Sequence, residues 1–108
     1  MFQKIFMEIL KLRNSRDKIK SYIGFAIKSR HIKYGVDDIT KMKHAKIILF
    51  EPSLAESSRE KLMGFAKRTK SDIFEFDDLF EIMGNENVKA IAVTENGLAC
   101  AIKKIMTE

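Results

Sequence analysis

The sequence predicts an α/β fold, a three-layer α/β/α sandwich around a small mixed four-stranded sheet. Short apolar runs rich in β-favouring residues, at 46–51, 72–76 and 89–94, alternate with stretches whose apolar residues recur at helical spacing. Such alternation builds a sheet covered on both faces. A chain of 108 residues with 45% hydrophobic residues is long enough for one core and short for two. Residues 15–108 are read as a single domain, preceded by an amphipathic extension over 1–14, with no repeat, low-complexity segment or linker.

Phe2, Ile5, Phe6, Ile9 and Leu10 recur at helical spacing until the polar pair Asn14-Ser15, which predicts a short N-terminal helix. Ile19, Tyr22, Ile23, Ala26 and Ile27 repeat the pattern over about 16–30, with Lys18, Lys20 and Lys28 facing elsewhere. A short strand is expected over 31–34, and a helix from Asp37 to about His44. The run 46–51, bounded by Pro52, is a buried strand.

Ser53-Leu54-Ala55-Glu56 has capping-box spacing, and Leu62, Phe65 and Ala66 give the helix it opens an apolar stripe ending near Lys70. A strand over 72–76, a helical turn or two over 79–83 stopped by Gly84, and a strand over 89–94 follow. Glu95-Asn96-Gly97 reads as a turn, and Leu98, Ala101, Ile102 and Ile105 as the face of a closing helix.

Charge is unevenly distributed. Net charge is +5, but residues 1–45 carry eleven Lys/Arg against four Asp/Glu and residues 46–108 nine against eleven, so the segments stand at +7 and −2. A basic cluster of this kind is either a phosphate-binding footprint or a solvated face. No apolar stretch approaches the roughly 20 residues of a membrane span. The interrupted run 1–12 has no small-residue cleavage site after it, so no export signal and no membrane partner are expected. A single cysteine, Cys100, fits a reducing compartment, and the cytoplasm is the expected location.

Catalytic chemistry is sparse. His31 and His44 have no metal-ligand spacing and are expected as solvated surface residues. Cys100 is read as a buried small hydrophobe on the inner side of the last helix. Asp77-Asp78, just before a helix, are read as N-terminal caps. The glycines are scattered singly, without the spacing of a nucleotide loop, and no cofactor, metal or small-molecule substrate is expected. The chain is read as a non-enzyme.

The segment that carries a functional signal is Gly35-Val36-Asp37-Asp38-Ile39-Thr40-Lys41, flanked by basic residues. Gly35 lets the backbone turn and approach a ligand, and the first amides of the following helix point outward with positive dipole. Asp37, Asp38 and Lys41 share a helix face by spacing, so one face could read a base edge and hold a phosphate. Arg30 and Lys33, just before Gly35, either steer phosphates or are simply solvated.

From about Lys18 to Ile105 the chain resembles the ribosomal protein superfamily that includes archaeal L-seven-Ae and L-thirty-e, most closely its small bacterial YlxQ-like branch. Tyr22 to Arg30 is similar to the family's opening helix, and Gly35 to Lys41 occupies the place of its RNA-binding signature, typically G-x-N-E-x-T-K. Ala45 to Glu51 matches the following buried strand, and Ala90 to Ala99 the closing strand, turn and helix.

This resemblance implies a non-enzymatic binder of structured RNA such as kink-turns, with ribosomal RNA among the candidates. Gly35 and Lys41 are retained, whereas Asp37 stands for the family's Asn and Asp38 for its Glu. An aspartate accepts from guanine N1 and N2 but cannot donate to O6 or N7. The family's second contact region corresponds to residues 85–89, where Val88 takes the place of apolar residues set against an extruded base, with Asn87 and Lys89 as polar support. By composition alone that loop is equally an ordinary polar turn. The alternative keeps the fold and replaces RNA by a protein partner, with the stripe over 1–14 either packing on its own core or forming a homodimer.

Overall fold

Four short strands pair into one sheet in this computed structural model, which describes residues 2–77, 79–85 and 87–107, with side chains from residue 15 onward. The strands are β1 (Ile32–Tyr34), β2 (Ile47–Phe50), β3 (Asp72–Glu75) and β4 (Ala90–Val93), in the order β1-β4-β2-β3. β4 runs antiparallel to β1 and β2, and β2 runs parallel to β3. The sheet is therefore mixed and four-stranded, as the sequence predicts. Register aligns Ile32, Val93, Ile47 and Asp72 in a row near one end, and Tyr34, Ile91, Leu49 and Phe74 in a row towards the other.

Alternate residues of each strand feed two separate cores. Ile47, Leu49, Ile91 and Val93 face Ile19, Ile23 and Ala26 of α1 (Phe2–Lys28) and Ala99 and Ile102 of α5 (Asn96–Met106). Ile48, Phe50, Ala90 and Ala92 face Ile39 of α2 (Val36–Thr40) and Leu62, Phe65 and Ala66 of α3 (Glu56–Thr69). The central strands β2 and β4 are buried on both faces, which is why they read as unbroken apolar runs rather than alternating ones. The result is an α/β/α sandwich. The short α4 (Leu79–Met83) closes the first layer through the fully buried Leu79, and Gly84, with φ of +64°, stops it as expected.

Several local expectations are corrected. Asn14-Ser15 does not break the first helix, and α1 runs unbroken over 27 residues. Two polar residues cost a helix only tenths of a kcal/mol each, about what neighbouring good formers recover. The stripe Phe2, Ile5, Phe6, Ile9 and Leu10 lies outside the residues whose side chains are described. α1 ends in a Schellman motif, with Arg30 at φ of 61° and the His31 N–H donating to the Ala26 carbonyl at 2.9 Å.

α2 stops at Thr40, short of the expected His44. The Thr40 hydroxyl turns back to the Val36 carbonyl at 2.8 Å, and the chain leaves the helix to bury Ala45. The capping box at Ser53 does not form either. Burial of Leu54 draws residues 51–54 into a turn, the Leu54 N–H donating to the Glu51 carbonyl at 3.0 Å, and α3 begins at Glu56 with Ala55 as its N-cap.

Glu95-Asn96-Gly97 is the start of α5 rather than a free turn. The Glu95 carboxylate caps the helix, accepting from the Gly97 N–H at 2.9 Å and the Leu98 N–H at 2.7 Å. Cys100 is exposed, against the expectation of a buried residue. The inward stripe is Ala99 and Ile102, and one residue's rotation of about 100° carries Cys100 out of it. Asp77, read as a cap, instead accepts from the Arg16 guanidinium at 3.3 Å, and Asp78 lies outside the described residues. Among the described residues, no helix is long and apolar enough to cross a membrane.

Candidate functional site

Gly35 sits between β1 and α2 with φ of 82° and ψ of 151°, a region open almost only to glycine. Its N–H donates to the Ala90 carbonyl at 3.0 Å. That bond ties the entry to α2 to the first residue of β4. Lys89 is anchored in turn, its carbonyl accepting from the Glu51 N–H at 2.8 Å. The segments expected to share a function, 35–41 and 85–89, therefore meet at one end of the sheet.

Within the 85–89 loop the Asn85 side chain accepts from the Asn87 N–H at 2.9 Å, which folds the loop on itself. Asn87 is exposed and Lys89 half-buried. Val88 is half-buried against the core of the α1 and α5 layer, which occupies part of the apolar surface that a base would need. Glu86 lies outside the described residues.

A groove of about 390 Å³ opens beside α2, lined by residues 34–38 together with Ser58 and Lys61 of α3. Asp37 and Asp38 are exposed on its rim, and Lys61 Nζ lies 3.5 Å from an Asp37 carboxylate oxygen. Lys41, exposed, forms the C-cap of α2 one turn away. Lys33 pairs with Ala92, so it stands on the same side of the sheet as α2. Arg30 is not gathered here. It precedes β1 at the opposite end of that strand, up to about 16 Å along the chain from Gly35.

The Gly35 end of the sheet is rich in carboxylates. Glu51, directly after β2, is buried, and among the described residues its Oε2 has no hydrogen-bond partner. Nearby, the Arg59 guanidinium donates to the Pro52 carbonyl at 2.7 Å and lies 5.4 Å over the Phe50 ring. Neither residue stands out in the sequence, because a Glu at a strand end and an Arg in a helix are ordinary. Glu95, at the other end, is held below the usual carboxylate range, first by the Leu98 N–H bond and then by that of Gly97. Among the described residues, no group of three or more His, Cys, Asp or Glu is placed to hold a metal ion.

No family model matches the sequence, and no curated protein matches it. Among solved structures, the chain is similar to a protein with unknown function from Bacillus halodurans. The TM-score is 0.75 at 14% identity, covering 83% of this chain and 97% of that one. The likeness is one of fold. It supports the α/β/α architecture and assigns no activity.

Proposed function

We propose that the protein is a non-enzymatic binder of structured RNA, of the L-seven-Ae and L-thirty-e kind and nearest the YlxQ-like branch, acting in the cytoplasm and associated with the ribosome. The observation that carries this reading is the Gly35 to Ala90 hydrogen bond, which brings the signature-like segment 35–41 and the 85–89 loop to one end of the sheet. An RNA with splayed bases offers a matching target, since such recognition depends on shape and unstacked bases more than on duplex sequence. Exposed Lys41 and Lys33 supply phosphate contacts, while Asp37 and Asp38 accept from base donors. The groove offers two carboxylates, an ammonium and the hydroxyls of Tyr34 and Ser58, a set of hydrogen-bonding groups suited to binding.

A second reading is favoured by one feature of the same end. The exposed carboxylates of Asp37 and Asp38 suit a basic protein surface better than a polyanion.

Salt titration of binding to a kink-turn RNA and to a plain duplex of equal length separates the two. Preference for the kink-turn, with affinity falling steeply with salt, is the expected result. Equal and salt-independent binding to both RNAs overturns the proposal.

A further inference from the structure

The opposite end of the sheet has the charge that a polyanion requires. β2 and β3 are parallel, so both begin at that end, and the residues leading into them bring Lys46 and Lys70 to one rim. With Lys103 of α5 they line a cleft of about 210 Å³ that also contains His44, Asn96 and Cys100. Among the described residues that line it, the only carboxylate is Asp72, 3.2 Å from Lys103 Nζ. Three lysines against one carboxylate is the reverse of the Gly35 groove, where two carboxylates face one lysine.

The cleft is held in shape by its backbone. Lys70 caps α3 in the left-handed conformation at φ of 58°, and both its N–H and that of Ser71 donate to the Ala66 carbonyl. His44 Nδ1 lies 3.1 Å from the Thr69 carbonyl and 3.2 Å from Ser71 Oγ. A carbonyl only accepts, so Nδ1 carries the proton and Nε2 remains the second polar atom of the ring. The Ala45 N–H donates to the same Ser71 hydroxyl at 3.1 Å, which fixes the approach to Lys46.

We propose that this cleft binds phosphates of an RNA backbone, as a second contact distinct from the Gly35 end. The inference rests on the RNA reading for its ligand class and on charge and geometry for its location. Lysines act as point charges that hold phosphate without reading sequence. The cleft therefore contributes affinity and salt dependence, while the Gly35 end contributes discrimination. The lysines are at positions 46, 70 and 103, outside the basic N-terminal segment, and the pairing of β2 with β3 together with the packing of α5 assembles them.

Cys100, the chain's single thiol, is exposed and lines the cleft, so it reports occupancy directly. The experiment measures Cys100 alkylation by a maleimide in the full chain, alone, with saturating kink-turn RNA, and with inorganic phosphate at equal phosphate concentration. It is paired with RNA affinities of the wild type, the Lys46→Gln/Lys70→Gln double variant and Asp72→Asn. RNA is expected to slow alkylation about ten-fold while phosphate does not. The double variant should lose roughly ten-fold in affinity and lower the salt slope by about two, whereas Asp72→Asn should bind more tightly.

RNA binding with unchanged alkylation and unchanged affinity in the double variant overturns the cleft and leaves the RNA reading standing. Equal protection by phosphate makes it a small-anion site and overturns the proposal. Absence of any RNA binding overturns both. Tighter binding by Asp72→Asn shows the cleft's sign even where the double variant folds poorly.

Discussion

Lys61 of α3 reaches across the groove to Asp37 of α2, its Nζ 3.5 Å from the carboxylate. Both side chains are largely exposed, so solvent screens the pair and it is worth at most about 1 kcal/mol. Its effect is on recognition: Asp37 is partly neutralised, Asp38 has no such neighbour among the ion pairs of the described residues, and the cation is drawn away from any ligand.

Replacing Asp37 by Asn should release Lys61 and restore a donor for guanine O6 or N7. Kink-turn affinity should rise by about 1–3 kcal/mol, the scale of a good base contact. Fluorescence anisotropy on a labelled RNA checks this, and an unchanged affinity means α2 does not engage guanines.

Lys41→Ala should weaken RNA binding by about 1–3 kcal/mol if the side chain makes a polar contact to the RNA. If that contact is to a phosphate, the salt slope falls by about one as well. Lys41 caps α2 through its backbone N–H alone, so thermal stability should hardly move. Equal affinity across the salt range removes Lys41 from the interface.

Gly35→Ala should destabilise the fold by about 1–3 kcal/mol in urea denaturation, because φ of 82° with ψ of 151° excludes other residues. No heavy atom outside its neighbours lies within 4 Å of the added Cβ, so the whole cost is backbone strain. Gly64, exposed inside α3 and equally open around its Cβ, is the contrast. Gly64→Ala should stabilise by about 0.5–1 kcal/mol through lower chain entropy.

Glu95 has a folded pKa below its ordinary value because the Leu98 and Gly97 amides bond its charged form. A lowered carboxylate pKa stabilises the fold above the unfolded value, and that contribution disappears as pH falls through the folded one. Glu95→Gln should therefore lower Tm at neutral pH. The gap to wild type should narrow as the pH falls below the ordinary glutamate range and through the lowered folded pKa. Melting curves between pH 7 and 3 test this, and a constant gap would mean that charge has no part in the cap.

Where a signal was local, the chain could be read directly. Ile47 to Phe50 is apolar without alternation because both of its faces are covered, and Gly84 ends α4 because it supplies the positive φ that stops a short helix. Local signals are overridden where tertiary packing competes with them. Ser53 has the spacing of a cap, but burying Leu54 moved the helix start to Glu56, and a two-residue polar interruption did not outweigh the rest of α1. Cys100 sits between two alanines, a setting that suggests burial in one dimension, but the helix rotates it away from the core.

The candidate site divides in the same way. Gly35 and the residues after it were visible as a motif, since a glycine ahead of a short polar helix is a property of consecutive residues. That Gly35 meets Ala90, that Arg30 stands at the far end of β1, and that Lys46, Lys70 and Lys103 share a cleft were decided by strand order and register. Sequence by itself determined the elements and the excess of positive charge, because these follow from composition and from periodicity over a few residues. Only the tertiary structure decided which lysines share a surface, because pairing β2 parallel to β3 sets residues more than twenty positions apart side by side.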